Sequence, residues 1–294
     1  MSLAIGRERD MKTIMVTGAA GYIGRHVLEA LVAKGAHVIA LDVNNKIDSA
    51  EHIESVVGDI FSHNFDVQSI LSGRTPDACL HLAWRNGFQH NADTHILDLS
   101  SHYRFITSLV DAGISHIAVM GTMHEVGYWE GAIDETTPCN PQSKYGIAKD
   151  ALRRALLLDS QSRNYCLQWL RGYYIYGDDE KSQSVFGKVL RAAHEGKKTF
   201  PFTSGVNQYD FTDVRVLADM ISEAVLQTDV DGIINCCTGN PVSLANKMES
   251  FIKDNGLSIE LEYGAYPDRP YDSLGVWGNP DKINRIMAAR CNRD

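Results

Sequence analysis

A glycine-rich segment near the N-terminus constrains the fold of this chain more than any other feature. The run Ile14-Met15-Val16-Thr17 has the residue types of a β-strand, and it stops at Gly18. Gly21 and Gly24 follow, and a helical pattern begins directly after them. The segment therefore predicts a strand, a tight turn and the start of a helix.

This turn has the form of a phosphate-binding site. Gly18 permits the turn, Gly21 lets the backbone approach a pyrophosphate, and Gly24 lets the helix pack closely. The first helical turn, with Tyr22 and Ile23, offers amides that have no partner inside the helix and so bind phosphate. We expect all five residues to contact a dinucleotide.

An acidic residue after the next strand supports the same interpretation. The run His37-Val38-Ile39-Ala40-Leu41 ends in Asp42, at the distance that suits the hydroxyl groups of an adenosine ribose. No basic residue follows in Val43-Asn44-Asn45 to accept a 2′-phosphate. The sequence therefore favours NAD over NADP.

Composition excludes several other classes of protein. The chain has 294 residues and a net charge of -9, without a basic run, which argues against nucleic acid as the main partner. No apolar stretch reaches the roughly 18 residues of a membrane span. The six cysteines lack metal-site spacing and indicate reduced thiols in a cytoplasmic protein. Residues 1–10 lack the apolar stretch of a signal peptide and are expected to be a loose arm or left from cloning.

The order of elements predicts an α/β fold. Strand-like runs alternate with amphipathic helical segments, the clearest helices being 97–112 and 145–160. This alternation predicts a Rossmann-type doubly wound parallel sheet, which binds ligands at the carboxyl ends of its strands. We place this NAD-binding domain at residues 11–177.

From about Gly177 the pattern becomes mixed and its loops carry more Pro, Gly and Asp. Helical runs recur at 185–195, 214–226 and 244–255. We expect residues 178–294 to form a smaller α/β substrate-binding lobe, with the chain crossing between the two lobes more than once.

A tyrosine and a lysine one helical turn apart are the candidate catalytic pair. Tyr145 and Lys149 are spaced i and i+4, so they share one face of the helix. The Lys149 ammonium, together with a positive nicotinamide ring, is expected to lower the pKa of the phenol so that it acts as a base. Thr122, at the end of the preceding strand, is expected to hydrogen-bond the reacting oxygen.

These motifs together resemble the extended short-chain dehydrogenase/reductase family, in particular its UDP-galactose 4-epimerase-like nucleotide-sugar epimerase/dehydratase branch. The resemblance implies that Asp59 and Ile60 flank the adenine, and that Leu82 and Ala83 line the path of the pyrophosphate and ribose. It also implies that Arg269 binds the diphosphate of a nucleotide sugar, and that two copies pair through the helices at 97–112 and 145–160. The apolar stripes expected there are Leu99, Tyr103 and Ile106 on one helix and Leu152 and Leu156 on the other.

The chain departs from this family at several positions near the expected substrate. Tyr209 stands where a second diphosphate-binding Arg is usual, Tyr174 where an Asn is common, and Asp98 where an Asn is frequent. Tyr174 is nevertheless expected at the substrate. Trp84 is positioned either to touch the sugar or to pack its loop.

Two further positions argue against a dehydratase. Enzymes of that branch follow the active-site Thr with an acid and a base, whereas Met123 and His124 stand here. Met123 cannot transfer a proton, and Glu125 is one residue too far along. His124 is instead expected beside the substrate.

Four histidines, His81, His90, His95 and His102, cluster in the sequence. Their spacing fits no strong metal template, so roles in the substrate pocket or at the surface are favoured and no metal is expected.

The sequence thus favours an NAD-dependent nucleotide-sugar epimerase that acts through a transient keto sugar, as a homodimer. The alternative is an NAD(P)-dependent ketoreductase or dehydrogenase of a sugar or small carbonyl substrate. A non-catalytic nucleotide-sensing protein is a third option, against which the intact Thr122, Tyr145 and Lys149 argue.

Overall fold

The computed structural model describes residues 11–44, 46–177, 180, 182–268 and 272–290. Arg269, the expected diphosphate ligand, and residues 1–10 lie outside these ranges. Within them the strands are β1 (Thr13–Thr17), β2 (His37–Asp42), β3 (Ile53–Val57), β4 (Ala78–His81), β5 (His116–Thr122), β6 (Gly131–Ile133), β7 (Cys166–Gly172), β8 (Tyr174–Tyr176), β9 (Thr199–Pro201), β10 (Gln208–Asp213), β11 (Gly232–Cys236), β12 (Pro241–Ser243), β13 (Glu260–Glu262) and β14 (Gly275–Gly278).

The α-helices of the same ranges are α1 (Tyr22–Ala33), α2 (Val67–Leu71), α3 (Thr94–Leu97), α4 (Leu99–Asp111), α5 (Lys144–Arg163), α6 (Val185–His194), α7 (Val214–Val225), α8 (Leu244–Asp254) and α9 (Asp281–Arg290). A 3₁₀ turn, Met123–Glu125, follows β5 directly.

Seven parallel strands form the main sheet, in the order β11-β7-β5-β4-β1-β2-β3. The order reverses between β1 and β4, which is where sheets of this type bind their ligands. The Rossmann-type fold predicted from the sequence is confirmed.

Both faces of this sheet are covered, because its central strands are apolar on both sides. On one face, Leu31 of α1 and Leu217 of α7 belong to one buried core. On the other, Phe105 of α4 and Leu156 of α5 belong to a second. This packing fixes the strand ends from which the site is built.

A smaller sheet, β12-β10-β14-β6, with β8 paired to β10, surrounds a third core. Strand β6 comes from before residue 177, whereas β11 of the main sheet comes from after it. A domain boundary at residue 177 stays a prediction.

The predicted helices agree with the structure apart from their ends. The predicted helices 185–195, 214–226 and 244–255 each end one residue earlier in the structure. The helix predicted over 97–112 is wrong in one respect, because Asp98 separates α3 from α4. None of the helices within the described residues has the length and apolarity that a membrane crossing requires.

The apolar stripes predicted for the dimer helices are partly wrong. Ile106, Leu152 and Leu156 are buried in the chain's own core, so they are not available to a partner. Periodicity showed that these residues face a hydrophobic surface, but that surface is the sheet. The exposed apolar residues on α3, α4 and α5 are Ile96, Leu97, Tyr103, Ile147 and Leu158.

Candidate active site

The glycine turn after β1 forms a tight cradle at the carboxyl edge of the sheet. Gly18 has a φ of +67°, and a side chain there would lie 2.7 Å from the backbone nitrogen of Ala83. A side chain on Gly24 would lie 2.3 Å from the carbonyl oxygen of Gly18. The close contact at Gly24 is therefore between helix α1 and the turn that precedes it.

The start of α1 is open to an anion. Gly21 is the N-cap of this helix and no side chain caps it, and the first turn, with Tyr22 and Ile23, carries no acidic residue. Backbone amides at such a helix start attract phosphate through hydrogen bonds and through the helix dipole.

Asp42 lies at the end of β2, beside this turn. Its Oδ2 accepts a hydrogen bond from the amide of Ala20 at 3.0 Å. Asp59 and Ile60 follow β3, where Asp59 accepts a hydrogen bond from the amide of Phe61 at 2.9 Å. These residues lie after neighbouring strands, as the predicted adenosine site requires.

Leu82 and Ala83 follow β4 and border the turn from the other side. The amide of Leu82 donates to the carbonyl oxygen of Thr17 at 3.2 Å. The amide of Ala83 donates to the Thr17 hydroxyl at the same distance, 3.2 Å. The structure thus brings the predicted cofactor residues to one edge of the sheet.

Thr122 and Tyr145 meet at the end of β5. Hydrogen bonding by the Thr122 side chain favours the ionised form of the Tyr145 phenol and so acts to lower its pKa. The Thr122 hydroxyl also accepts from the amide of His124 at 3.3 Å, which caps the 3₁₀ turn. Tyr145 lies in the first turn of α5, whose start is capped by Ser143.

Lys149 lies one turn further along α5, 3% exposed. Its Nζ donates to the carbonyl oxygen of Met120 at 2.5 Å. The same nitrogen lies 3.7 Å from the ring centroid of Trp84. Burial lowers the pKa of Lys149 to about 7, while Glu125 acts in the opposite direction.

The electrostatics of Tyr145 differ from the sequence-based expectation. Burial raises the pKa of the phenol in the chain alone, although the hydrogen bond from Thr122 opposes this. The predicted lowering relied on Lys149 and on the positive charge of the nicotinamide ring. In the chain alone, burial outweighs the hydrogen bonding by Thr122, so the pKa of the phenol is raised rather than lowered.

Four rings surround the Tyr145 ring. His90 stacks on it with centroids 5.2 Å apart, and His95 lies at 5.3 Å. Trp84 lies at 6.0 Å and His124 at 6.2 Å, both edge-on. Burial lowers the pKa of His124 to about 4, so this ring is neutral near neutral pH.

The histidine cluster is mostly interior, so a surface role is wrong for three of its members. His81, His95 and His102 are each 1% exposed. Sequence reasoning noted the cluster but missed the role of Thr17, whose hydroxyl lies 2.9 Å from Nδ1 of His81. The signal was a hydroxyl residue in the turn and a histidine ending the neighbouring strand.

The aromatic departures from the family pattern contact each other. Tyr174 of β8 stacks on Tyr209 of β10 with centroids 4.0 Å apart and an interplanar angle of 21°. Asp98 accepts hydrogen bonds from the guanidinium of Arg85, one of them at 2.8 Å.

A profile of the NAD dependent epimerase/dehydratase family matches residues 14–237. The chain belongs to this family. The resemblance stated from the sequence is thereby confirmed, and the protein is an NAD-dependent enzyme of the nucleotide-sugar epimerase/dehydratase type.

Two curated proteins and one solved structure show the range of its similarities. The chain is 43% identical to dTDP-6-deoxy-L-talose 4-dehydrogenase (NAD(+)) of Aggregatibacter actinomycetemcomitans, covering 90% of this chain and 98% of that protein. It is 23% identical to UDP-glucose 4-epimerase of Lactobacillus helveticus, covering 89% and 87%. Its fold matches UDP-N-acetylglucosamine 4-epimerase from Methanobrevibacter ruminantium M1 with a TM-score of 0.81, at 20% identity, over 94% and 92% of the two chains.

The residues present fit NAD. At Gly18 and Gly24 a side chain would collide with backbone atoms, so the turn has the tight glycine-dependent form that binds a pyrophosphate in folds of this type. Asp42 places a carboxylate beside the same turn, where ribose hydroxyls are bound in folds of this type.

Proposed function

We propose that this protein is an NAD-dependent dehydrogenase acting at C4 of a dTDP-linked 6-deoxy sugar. The observation that carries the proposal is the 43% identity to the talose 4-dehydrogenase over 98% of that protein. Epimerisation, which the sequence favoured, is the second candidate, supported by the 23% identity to a UDP-glucose 4-epimerase. Both reactions begin by oxidising a sugar hydroxyl group.

The proposed cofactor ligands are the residues at the strand ends. Gly18, Gly21, Tyr22, Ile23 and Gly24 hold the pyrophosphate through backbone amides and close packing. Asp42 binds the adenosine ribose, and the remaining contacts come from Asp59, Ile60, Leu82, Ala83, Tyr145 and Lys149.

The proposed reaction uses three side chains. Tyr145 removes the proton of the C4 hydroxyl, and Thr122 hydrogen-bonds the same oxygen as it becomes a carbonyl. Bound NAD supplies the acceptor for the two electrons and the hydrogen that leave C4. Lys149 holds its ammonium near the phenol, so that it stabilises negative charge on the Tyr145 oxygen.

Dehydration is not part of the proposal. It needs both an acid and a base beside the reacting sugar, whereas Met123 has no proton to transfer and is buried in the third core. Because burial lowers the pKa of His124 to about 4, this ring is a poor acid near neutral pH, so the two residues do not supply such a pair. Glu125, the nearest carboxylate in sequence, is fully buried and accepts from Thr122 and Trp169. It is therefore directed into the protein core.

The substrate contacts proposed are His124, Trp84, Tyr174 and Arg269. The rings of His124 and Trp84 both border that of Tyr145, which is the geometric basis for these two. The stacked pair of Tyr174 and Tyr209 replaces polar groups of the family pattern with an aromatic surface. We also propose that the chain forms a homodimer through the exposed apolar residues of α3, α4 and α5.

Product analysis with two nucleotide sugars tests the proposal. With dTDP-6-deoxy-L-talose and NAD, we expect NADH to accumulate in proportion to the sugar consumed. With UDP-glucose, we expect neither NADH nor UDP-galactose, and Tyr145→Phe serves as the inactive control. Formation of a 4-epimer without net NADH would reject the dehydrogenase and favour the epimerase.

A further inference from the structure

The indole of Trp84 joins the histidine cluster to the lysine of the candidate site. Its ring centroid lies 3.7 Å from Nζ of Lys149. The same ring stacks on that of His102, with centroids 4.2 Å apart and an interplanar angle of 11°. Its Nε1 donates to Nδ1 of His95 at 3.0 Å. The indole is thus fixed both at its face and at its N–H.

The tautomer of His95 follows from these hydrogen bonds. An indole N–H only donates, so Nδ1 of His95 accepts. Its Nε2 lies 3.0 Å from the carbonyl oxygen of Gln89 and must carry the proton, since a carbonyl only accepts. His95 is therefore a neutral bridge that orients Trp84 from the backbone of its own loop.

The other side of the indole is tied to the nucleotide turn. Nδ1 of His102 lies 2.9 Å from Nε2 of His81, whose Nδ1 lies 2.9 Å from the hydroxyl of Thr17. Burial lowers the pKa of His81 to about 3 and that of His102 well below its usual value. The chain of rings therefore brings no positive charge next to Lys149.

We propose that Trp84 is a positioning residue that holds the Lys149 ammonium on its ring face, and that His95 and His102 orient the indole of Trp84. An electron-rich indole stabilises a desolvated cation without adding a charge that would pair with it permanently. Lys149 is thereby held between the indole face and the carbonyl oxygen of Met120, one helical turn from Tyr145. The inference rests on the proposed function, in which Lys149 acts together with Tyr145.

Other groups also face Lys149 and must be held constant in a test. Glu125 favours its charged form, while His81 and His102 feel its charge. Tyr145 lies one turn away on the same helix. A probe that changes only the electron density of the indole leaves all four in place.

Site-specific incorporation of fluorinated tryptophans at position 84 provides that probe. Each fluorine withdraws electron density from the ring with little change in shape. The titration of Lys149 is followed by carbon NMR of the full chain labelled at lysine, with Lys149→Arg assigning the signal. We expect the pKa of Lys149 to fall stepwise, by about one unit across the series. The same fluorination of Trp277, in the smaller sheet, is the matched control and should cause no change.

Two variants of His95 test the orienting part. His95→Asn keeps an acceptor for the indole N–H and should retain the wild-type Lys149 pKa, whereas His95→Leu should shift it. The alkaline limb of the pH profile of kcat/KM should move with the pKa in the same variants.

An unchanged Lys149 pKa across the fluorinated series would overturn the proposal. Equal titrations in His95→Leu and wild type would remove His95 from it. These titrations need no sugar. A protein that turns over no nucleotide sugar would therefore contradict the proposed function, while its titrations would still show whether Trp84 stabilises the Lys149 ammonium.

Discussion

Replacing Lys149 by Met should flatten the pH dependence of stability. Lys149 has a pKa of about 7 in the folded chain, against 10.5 for an exposed lysine. The unfolded chain therefore binds more protons than the folded chain between these values, so the free energy of unfolding rises with pH there. Integrated over pH from about 7 to about 9, the excess of protons bound by the unfolded chain comes to roughly 1.7 pH units. At 1.36 kcal/mol per unit, the free energy of unfolding therefore rises by about 2 kcal/mol across this range.

The assay is urea unfolding of NAD-stripped protein at several pH values in this window. Burial raises the pKa of Tyr145 and of cysteines such as Cys79, so these groups lose stabilising effect as pH rises. They are present in both proteins and cancel in the difference. The range ends below the pH at which an unfolded tyrosine ionises.

Lys144→Met is the matched control for this prediction. Lys144 lies on the same helix but pairs with Asp93 at the surface. We expect its pH slope to equal that of wild type. Equal slopes for wild type and Lys149→Met would refute the reasoning, because they would show that burial does not penalise the ammonium.

Three further predictions concern the site, and a fourth concerns the dimer. Tyr145→Phe should keep NAD binding and lose about 10²–10⁴-fold in turnover, measured by NADH formation; more than a tenth of wild-type rate would contradict the assignment. Asp42→Arg should weaken NAD and improve relative NADP affinity by fluorescence titration; a wild type that prefers NADP would contradict the cofactor assignment. Arg269→Ala should raise KM for a nucleotide sugar by about 10–100-fold with a smaller change in kcat, and unaltered KM values would question the substrate class. Light scattering at micromolar concentration should give a dimer mass, and Leu158→Glu a monomer; a monomeric wild type would reject the pairing.

The sequence was sufficient for those parts of the site that depend on local geometry. The turn at Gly18, the acid at Asp42, and the one-turn spacing of Tyr145 and Lys149 each reflect a backbone requirement within a few residues. The family assignment followed from their order along the chain.

The parts that could not be predicted are contacts between distant strands. Thr17 and His81 are 64 residues apart, and His81 and His102 are 21 apart, so their hydrogen bonds depend on strand order and rotamers. The apolar stripe of α5 was visible as a pattern. Whether the sheet or a second copy covers it is decided by tertiary packing, which assigned Leu152 and Leu156 to the core.

The position of Trp169 has a consequence for how this enzyme can vary. A side chain on Gly121 would lie 2.2 Å from its indole nitrogen, and that nitrogen donates at 2.9 Å to Glu125, which also accepts from the amide of Thr122. The backbone of Thr122 is thus held, through Glu125, by the fully buried ring of Trp169. A change such as Gly121→Ala would displace that ring and misalign Thr122 without touching the substrate pocket. The alignment of a catalytic side chain therefore depends here on packing in the protein core.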